Sequence, residues 1–184
     1  MNAPEQPDIL PRIECLRGDI TEQQVDAVVN AANSTLLGGL GVDGAIHGVG
    51  GPAILEACRE LRSTSLREGL PAGEAVATTA GLLPARWVIH TVGPVYDPLV
   101  DHSATLAAAY RNSLEVADSL GARTVAFPAI SAGAYGWPMD DAARIAVTAV
   151  VAARSSVEFI RFVLYSDAAL QAFVHQAKRA GQCT

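Results

Sequence analysis

The sequence of 184 residues predicts an α/β fold, in which a mainly parallel sheet is covered by helices on both faces. Two observations carry that reading. Short apolar, β-branched runs alternate along the chain with stretches of helical period, and no repeat, linker or low-complexity tract interrupts the alternation. Half of the residues are hydrophobic and only 17% are charged, so the chain has the means to bury a core and no reason to stay disordered. The length suits one domain.

Residues 1–11 carry three prolines and read as a loose leader. Ile13 to Leu16 alternates like a short strand and stops at Gly18-Asp19. Val25 to Asn30 is a second, more buried strand. It runs into a glycine-rich loop from Asn33 to Gly51, with seven glycines after Leu37. From Pro52 the pattern turns helical, with Ile54, Leu55, Cys58 and Leu61 at 3.6-residue spacing. Glu74 to Thr79 and Trp87 to Val92 are two further strands. Ser103 to Leu120 is an amphipathic helix stopped by Gly121. Thr124 to Phe127 is a short strand followed by a second small-residue loop, Ser131 to Gly136. Pro138, Asp140 and Asp141 suit the first turn of a helix reaching about Ala153. Phe159 to Tyr165 is the last strand, and Asp167 to about Arg179 the last helix.

Composition excludes several function classes. A net charge of −6 argues against a non-specific grip on nucleic acid or on anionic lipid. The 13 basic residues include one lysine, Lys178, which removes a Walker A loop and disfavours Schiff-base chemistry. No apolar run approaches the ~20 residues of a membrane span, and the opening residues carry no signal-peptide pattern. Cys15, Cys58 and Cys183 are widely spaced and odd in number, which fits reduced thiols in a cytoplasmic protein.

Ligands of parallel sheets bind beyond the carboxyl ends of the strands, so the two glycine-rich loops are the places to look. Gly39-Leu40-Gly41-Val42-Asp43-Gly44 spells GxGxxG. A dinucleotide fold needs that motif directly after a strand and an acidic residue closing the next strand. Here eight residues intervene, and the region near Glu60 is helical. What remains is either a set of backbone N–H groups able to approach an anion ahead of a helix, or a plain flexible loop. Ser131 misses the GxSxG elbow by one glycine, and its helix starts too late, at Pro138. That loop reads as a second anion cradle. His47, His90, His102 and His175 are scattered, without zinc-ligand spacing, so no metal is expected. His90, inside an apolar strand, reads as a hydrogen-bonded core histidine, and Asp43 as the cap of a helix. Tyr165 is either core packing or a flat surface for a base.

Taken together, these segments resemble the macrodomain family, and within it the MacroD-type ADP-ribosyl hydrolases. The resemblance is carried by Gly18-Asp19-Ile20-Thr21, Val25 to Asn33, Leu36 to His47, Leu83-Pro84-Ala85, Val88 to Pro94 and Phe127 to Gly136, and spans roughly residues 13–178. It implies a three-layer α/β/α sandwich around a mixed, mainly parallel sheet, formed by a single macrodomain over residues 12–184.

It also implies ADP-ribose as ligand. Asp19 matches the acidic residue that accepts a hydrogen bond from the adenine amino group, with the Ile20 backbone beside it, and Tyr165 matches the aromatic packed on that ring. Gly39, Leu40, Gly41 and Val42, with Ser131, Ala132, Gly133, Ala134 and Tyr135, match the two loops around the diphosphate. Asn33 matches the residue that binds the distal ribose, and Tyr135 the aromatic that encloses it. Asp43 matches an aspartate of hydrolytic members that orients or activates the attacking water. Asn33, Asp43 and Tyr135 are therefore the expected catalytic set.

Three positions depart from the family pattern. Leu40 interrupts a usual run of glycines, Ala132 replaces a threonine, and Gly48-Val49-Gly50-Gly51 stands where Arg-Ala-Ala-Gly is common. The expectation is a monomeric cytoplasmic hydrolase without cofactor. It would remove mono-ADP-ribose from proteins, chiefly from Asp/Glu esters, and also deacylate O-acyl-ADP-ribose. The alternatives are a non-catalytic ADP-ribose reader and, against the acidic charge, an RNA-associated macrodomain.

Overall fold

A computed structural model describes residues 10–182, so residues 1–9 of the expected leader and Cys183 lie outside the described residues. The strands are β1 (Arg12–Arg17), β2 (Ala27–Ala32), β3 (Ala75–Thr79), β4 (Trp87–Val92), β5 (Thr124–Phe127) and β6 (Phe159–Leu164). The helices are α1 (Gly41–Gly50), α2 (Pro52–Ser63), α3 (Ser103–Ser119), α4 (Met139–Ala152) and α5 (Asp167–Arg179). The strands form one sheet in the order β1-β6-β5-β2-β4-β3. Every neighbouring pair is parallel except β3 with β4, which is antiparallel and makes the sheet mixed at that edge. Among the described residues no helix is long and apolar enough to cross a membrane.

The period of two along each strand divides the interior into two cores. Val28, Val88, Ala126 and Val163 face one side, where they meet Ile46 of α1 and Ile54 and Cys58 of α2. Their neighbours Val29, Ile89, Phe127 and Phe162 face the other side, against α3, α4 and α5. That second core is built on aromatics: Phe162 lies 5.9 Å from Phe127 and 4.9 Å from Phe173 between ring centroids. The result is three layers, helices on sheet on helices.

Two differences from the sequence reading matter for the site. The glycine-rich stretch is not loop as far as Gly51; from Gly41 it is helix α1. Glycine disfavours helix by about 1 kcal/mol per residue relative to alanine, but burial of Ile46 overrides that preference. Gly51, at φ 78°, ends α1 and turns the chain into Pro52, the first residue of α2. Strand β2 also begins at Ala27, two residues later than expected. Asp26 is spent on the approach, where its Oδ2 accepts from the N–H groups of Arg123 and Thr124 at 2.8 and 3.1 Å. Burial works against its charge, yet these bonds hold the carboxyl below its ordinary value. The shift carries β2 on to Ala32 and places Asn33 just past its carboxyl end.

Candidate functional site

A cleft of about 810 Å³ opens at the carboxyl ends of β1, β2, β5 and β6, within the size range of small-molecule sites. Each strand delivers its share directly. Asp19 and Ile20 follow β1, Asn33 follows β2, the loop of Ser131 follows β5 and Tyr165 follows β6. Gly39, Leu40, Gly41, Val42 and Asp43 form another wall, with Gly133, Ala134 and Tyr135 opposite in the lining. Of the residues matched to the ligand site in the sequence, Ala132 alone does not line the cleft; it packs against the aromatic-side core.

Helix α1 points its amino end into this cleft. Leu40 is its N-cap, in ordinary extended backbone (φ −103°, ψ 178°), and its side chain caps nothing. The N–H groups of Gly41, Val42 and Asp43 therefore have no acceptor among the described residues, as the first turn of a helix dictates. Leucine here carries no backbone strain, and its side chain is 96% exposed at the rim. On the other wall Ser131 sits in the left-handed region, at φ 64°. The conformation is held by its hydroxyl, which donates to the Pro94 carbonyl at 2.7 Å, and by Trp137 N–H donating to its own carbonyl at 2.9 Å. The N–H groups of Gly133, Ala134 and Tyr135 are left without acceptors among the described residues. Two sets of unpaired donors thus face one cleft, a cradle for an anion that needs no lysine.

Asp43 lies at the base of the α1 wall and is 5% exposed. Its Oδ1 accepts from Asn30 Nδ2 at 2.7 Å, and His47 Nε2 stands 3.4 Å from the same oxygen. Gly39 is wedged in front. A Cβ there would come 2.9 Å from Asp43 Oδ2 and 3.3 Å from Asn33 Nδ2, so only glycine lets the backbone pass between these side chains. Asn33 itself is largely occupied. Its Oδ1 accepts from the Thr35 N–H and hydroxyl, and its Nδ2 donates to the Gly38 carbonyl at 3.0 Å, leaving one N–H to spare. Tyr135 closes this end, its carbonyl accepting from Tyr96 N–H at 2.9 Å.

The far end of the cleft is different in kind. Asp19 Oδ1 caps the short 3-10 turn Ile20–Glu22 by accepting from the N–H and hydroxyl of Thr21 at 2.8 and 2.7 Å, while Oδ2 makes no hydrogen bond among the described residues. Tyr165 is 68% exposed, which decides between the two readings of it: it is a surface at the cleft and not core packing.

Asn30 carried no assigned role in the sequence; a lone amide at the inward end of an apolar run was the available signal. Sequence spacing also could not show that His47, Cys58 and His90 meet, with potential ligand atoms all within 4.8 Å. That spacing would suit a metal ion, but the hydrogen bonds of His90 place its proton otherwise. Asn30 Nδ2 lies 3.1 Å from His90 Nδ1, and Thr78 Oγ1 lies 2.8 Å from Nε2. With an amide N–H on Nδ1, the ring proton belongs on Nε2, the atom a metal would need. Burial first, then the neighbouring His47, lowers the His90 pKa to about 3, and burial with the Asp43 charge raises the Cys58 thiol to about 11. Both shifts favour the uncharged forms of His90 and Cys58, and His90 is the buried, hydrogen-bonded histidine expected of its strand.

The chain is similar to known proteins over most of its length. The chain is 65% identical over 161 residues to a macro domain-containing protein of Streptomyces coelicolor, covering 88% of this chain and 95% of that one. It is 52% identical over 162 residues to the O-acetyl-ADP-ribose deacetylase of Citrobacter koseri, covering 85% and 89% of the two. Among solved structures, the Oceanobacillus iheyensis macrodomain with ADP superposes with a TM-score of 0.88 at 39% identity over 92% of each chain. The Trypanosoma brucei macrodomain in complex with ADP-ribose gives 0.80 at 36% identity, over 93% of this chain and 71% of that one. The Macro domain family model matches residues 29–146, the span that holds both anion-facing loops and Asp43. The chain belongs to the Macro domain family.

Proposed function

We propose that this protein hydrolyses esters of ADP-ribose at the distal ribose. Its substrates would be O-acyl-ADP-ribose and mono-ADP-ribose linked to acidic side chains of proteins. The observation that carries the reading is the placement of Asp43. A buried carboxylate has one oxygen engaged by Asn30 and the other packed against Gly39 of the cleft wall, the glycine that also borders Asn33. The diphosphate would lie between the unpaired N–H groups of the two loops. Asp19 Oδ2 would accept from the adenine amine, and Tyr165 would pack on the ring. That orientation puts the distal ribose against Asn33, Asp43 and Tyr135.

The chemistry asked of the residues is small. In the protein-linked ester water attacks the anomeric carbon, its proton passes to Asp43 Oδ2, and the C–O bond breaks with the side-chain carboxylate as a leaving group that needs little acid catalysis. In O-acyl-ADP-ribose water attacks the acyl carbon, the acyl C–O bond breaks, and the proton taken up by Asp43 returns to the departing ribose oxygen. Holding water and ribose together is then the main contribution to rate. The homologue named O-acetyl-ADP-ribose deacetylase supports the small ester as substrate. The protein ester rests on the resemblance to MacroD-type hydrolases, as do cytoplasmic location and action as a monomer in a single domain over 12–184.

Incubation with O-acetyl-ADP-ribose, and separately with an automodified ADP-ribosylated protein, followed by chromatography for free ADP-ribose, tests the proposal. Wild type should release ADP-ribose from both. Asp43→Ala should bind ADP-ribose similarly and turn over at least ~10-fold more slowly, a barrier increase of about 1.4 kcal/mol or more. Tight ADP-ribose binding with no release from either substrate would make the protein a reader. Full turnover by folded Asp43→Ala would remove Asp43 from the reaction.

A further inference from the structure

We infer that His90 is a positioning residue, which fixes the Asn30 amide so that its nitrogen holds Asp43 Oδ1 and leaves Oδ2 to the water; the inference rests on the role of Asp43 proposed above. Asn30 and His90 are directly paired across β2 and β4, and both side chains point to the α1 face and are fully buried. The Asn30 nitrogen is 2.7 Å from Asp43 Oδ1 and 3.1 Å from His90 Nδ1. A primary amide has two N–H bonds, and here there is one acceptor for each.

The amide has two possible orientations, and its neighbours choose between them. Turned over, Asn30 would set Oδ1 against the Asp43 carboxylate, and it would need a proton on His90 Nδ1. As it stands, Oδ1 is buried without a partner, a cost that the network bears to keep the nitrogen on both acceptors. The direction is set farther back. The Thr78 hydroxyl donates to the Thr79 carbonyl at 3.0 Å, so its lone pairs face His90 and accept from Nε2–H. Cys58 Sγ also lies 3.7 Å from Nε2, but sulfur is the weaker acceptor, so the Thr78 oxygen at 2.8 Å takes the Nε2 proton and the order runs from Thr78 through His90 and Asn30 to Asp43. These residues stand 12, 60 and 13 positions apart in sequence, and four different elements bring them together.

Without an acceptor at the His90 position the amide is free to rotate, and Asp43 loses its fixed donor. Both carboxylate oxygens would then compete for the water, and the rate would fall while ligand binding, made by the loops, would persist. The same contact works against a metal ion at His47, Cys58 and His90, since ligation by Nε2 would move the proton to Nδ1, facing the Asn30 N–H.

Steady-state hydrolysis of O-acetyl-ADP-ribose by His90→Phe, His90→Asn, Thr78→Val and Asp43→Ala tests this, with ADP-ribose affinity by calorimetry alongside. Phenylalanine keeps the ring volume and removes the acceptor, whereas asparagine can offer Oδ1 where Nδ1 stood. His90→Phe should lose about 10-fold or more in kcat, with KM and ADP-ribose affinity within about 3-fold of wild type. His90→Asn should recover kcat to within about 3-fold, which a volume-filling role would not predict. Thr78→Val, which keeps volume and removes the acceptor for Nε2–H, should lower kcat selectively, and it decides the matter together with His90→Asn if His90→Phe does not fold. Wild-type kcat in folded His90→Phe or in Thr78→Val, beside an impaired Asp43→Ala, overturns the role of His90 alone. Wild-type turnover by Asp43→Ala overturns the underlying reading as well.

Discussion

On the side of the sheet covered by α3, α4 and α5, strands β2, β4, β5 and β6 contribute Val29, Ile89, Phe127 and Phe162 to an interior with Tyr110 and Phe173. The buried hydroxyls of Thr91, Ser113 and Tyr110 on that side each donate to a backbone carbonyl, of Glu74, Ala109 and Pro128. One residue along, β2 and β4 present Asn30 and His90 to the opposite side, where the polar atoms bond to one another and to Asp43. The first arrangement closes its polar groups off locally, and mutation there costs packing. The second passes orientation from one side chain to the next, and mutation there costs geometry. A period of two lets the same strands supply both, so stability and chemistry can be separated by a single step in sequence.

The sharpest way to break that separation is Phe173→Ala, in α5 on the aromatic side. Loss of a fully buried ring should cost about 3–5 kcal/mol in urea unfolding while ADP-ribose affinity of the folded protein stays at wild type. A weakened site in the folded variant would show that the two sides are coupled. Next in size is Asp19→Asn. It retains an oxygen to cap Thr21 but turns the free Oδ2 into an N–H facing the adenine amine, and should weaken ADP-ribose binding by about 1.5–3 kcal/mol in calorimetry. Unchanged affinity would take Asp19 out of the binding site.

A third test concerns acid. His90 stays neutral in the fold down to about pH 3, whereas the unfolded chain takes up that proton near 6.5. Its contribution is present in full above pH 6.5 and is lost as pH falls towards 3, because there the unfolded state binds more protons. Between pH 6 and 4 the stability of wild type should fall more steeply than that of His90→Asn, by up to about 1.4 kcal/mol per pH unit. Parallel curves would mean His90 is not held neutral. The smallest effect is expected from Leu40→Gly. Removing the exposed side chain from the rim should speed release from modified protein more than hydrolysis of O-acetyl-ADP-ribose, by about 2–5-fold, with ADP-ribose affinity little changed. Equal change in both rates would show that Leu40 does not gate substrate size.

Much of this architecture is legible in the chain. β4, β5 and α5 lie where period and punctuation put them, because burial on both faces of a parallel strand leaves a continuous apolar run. α1 was hidden, since its glycines argue for loop and the compensating burial of Ile46 is tertiary. The antiparallel pairing of β3 has no local signature. The cleft follows from motifs after strands, and the resemblance located Asp19, Asn33, Asp43 and Tyr165 on its walls. The links from Asp43 back to His90 and Thr78 did not follow, because contacts between residues far apart in sequence appear only once the strands are in register.

The two loops face the cleft with peptide N–H groups and not with charged side chains. Peptide groups cannot be deleted by point substitution, so under the proposed mode of binding the grip on a diphosphate is inherited with the backbone trace. This gives a physical reason why Leu40 and Ala132 can differ from their relatives without dismantling the site. It also predicts a complex whose affinity declines little in concentrated salt, since the two loops carry no cationic side chain to be screened and Arg17 in the cleft lining is already paired with Asp167. Such a protein can recognise a doubly charged ligand while its own surface stays acidic, and so avoid the polyanions that a lysine-rich cleft would collect.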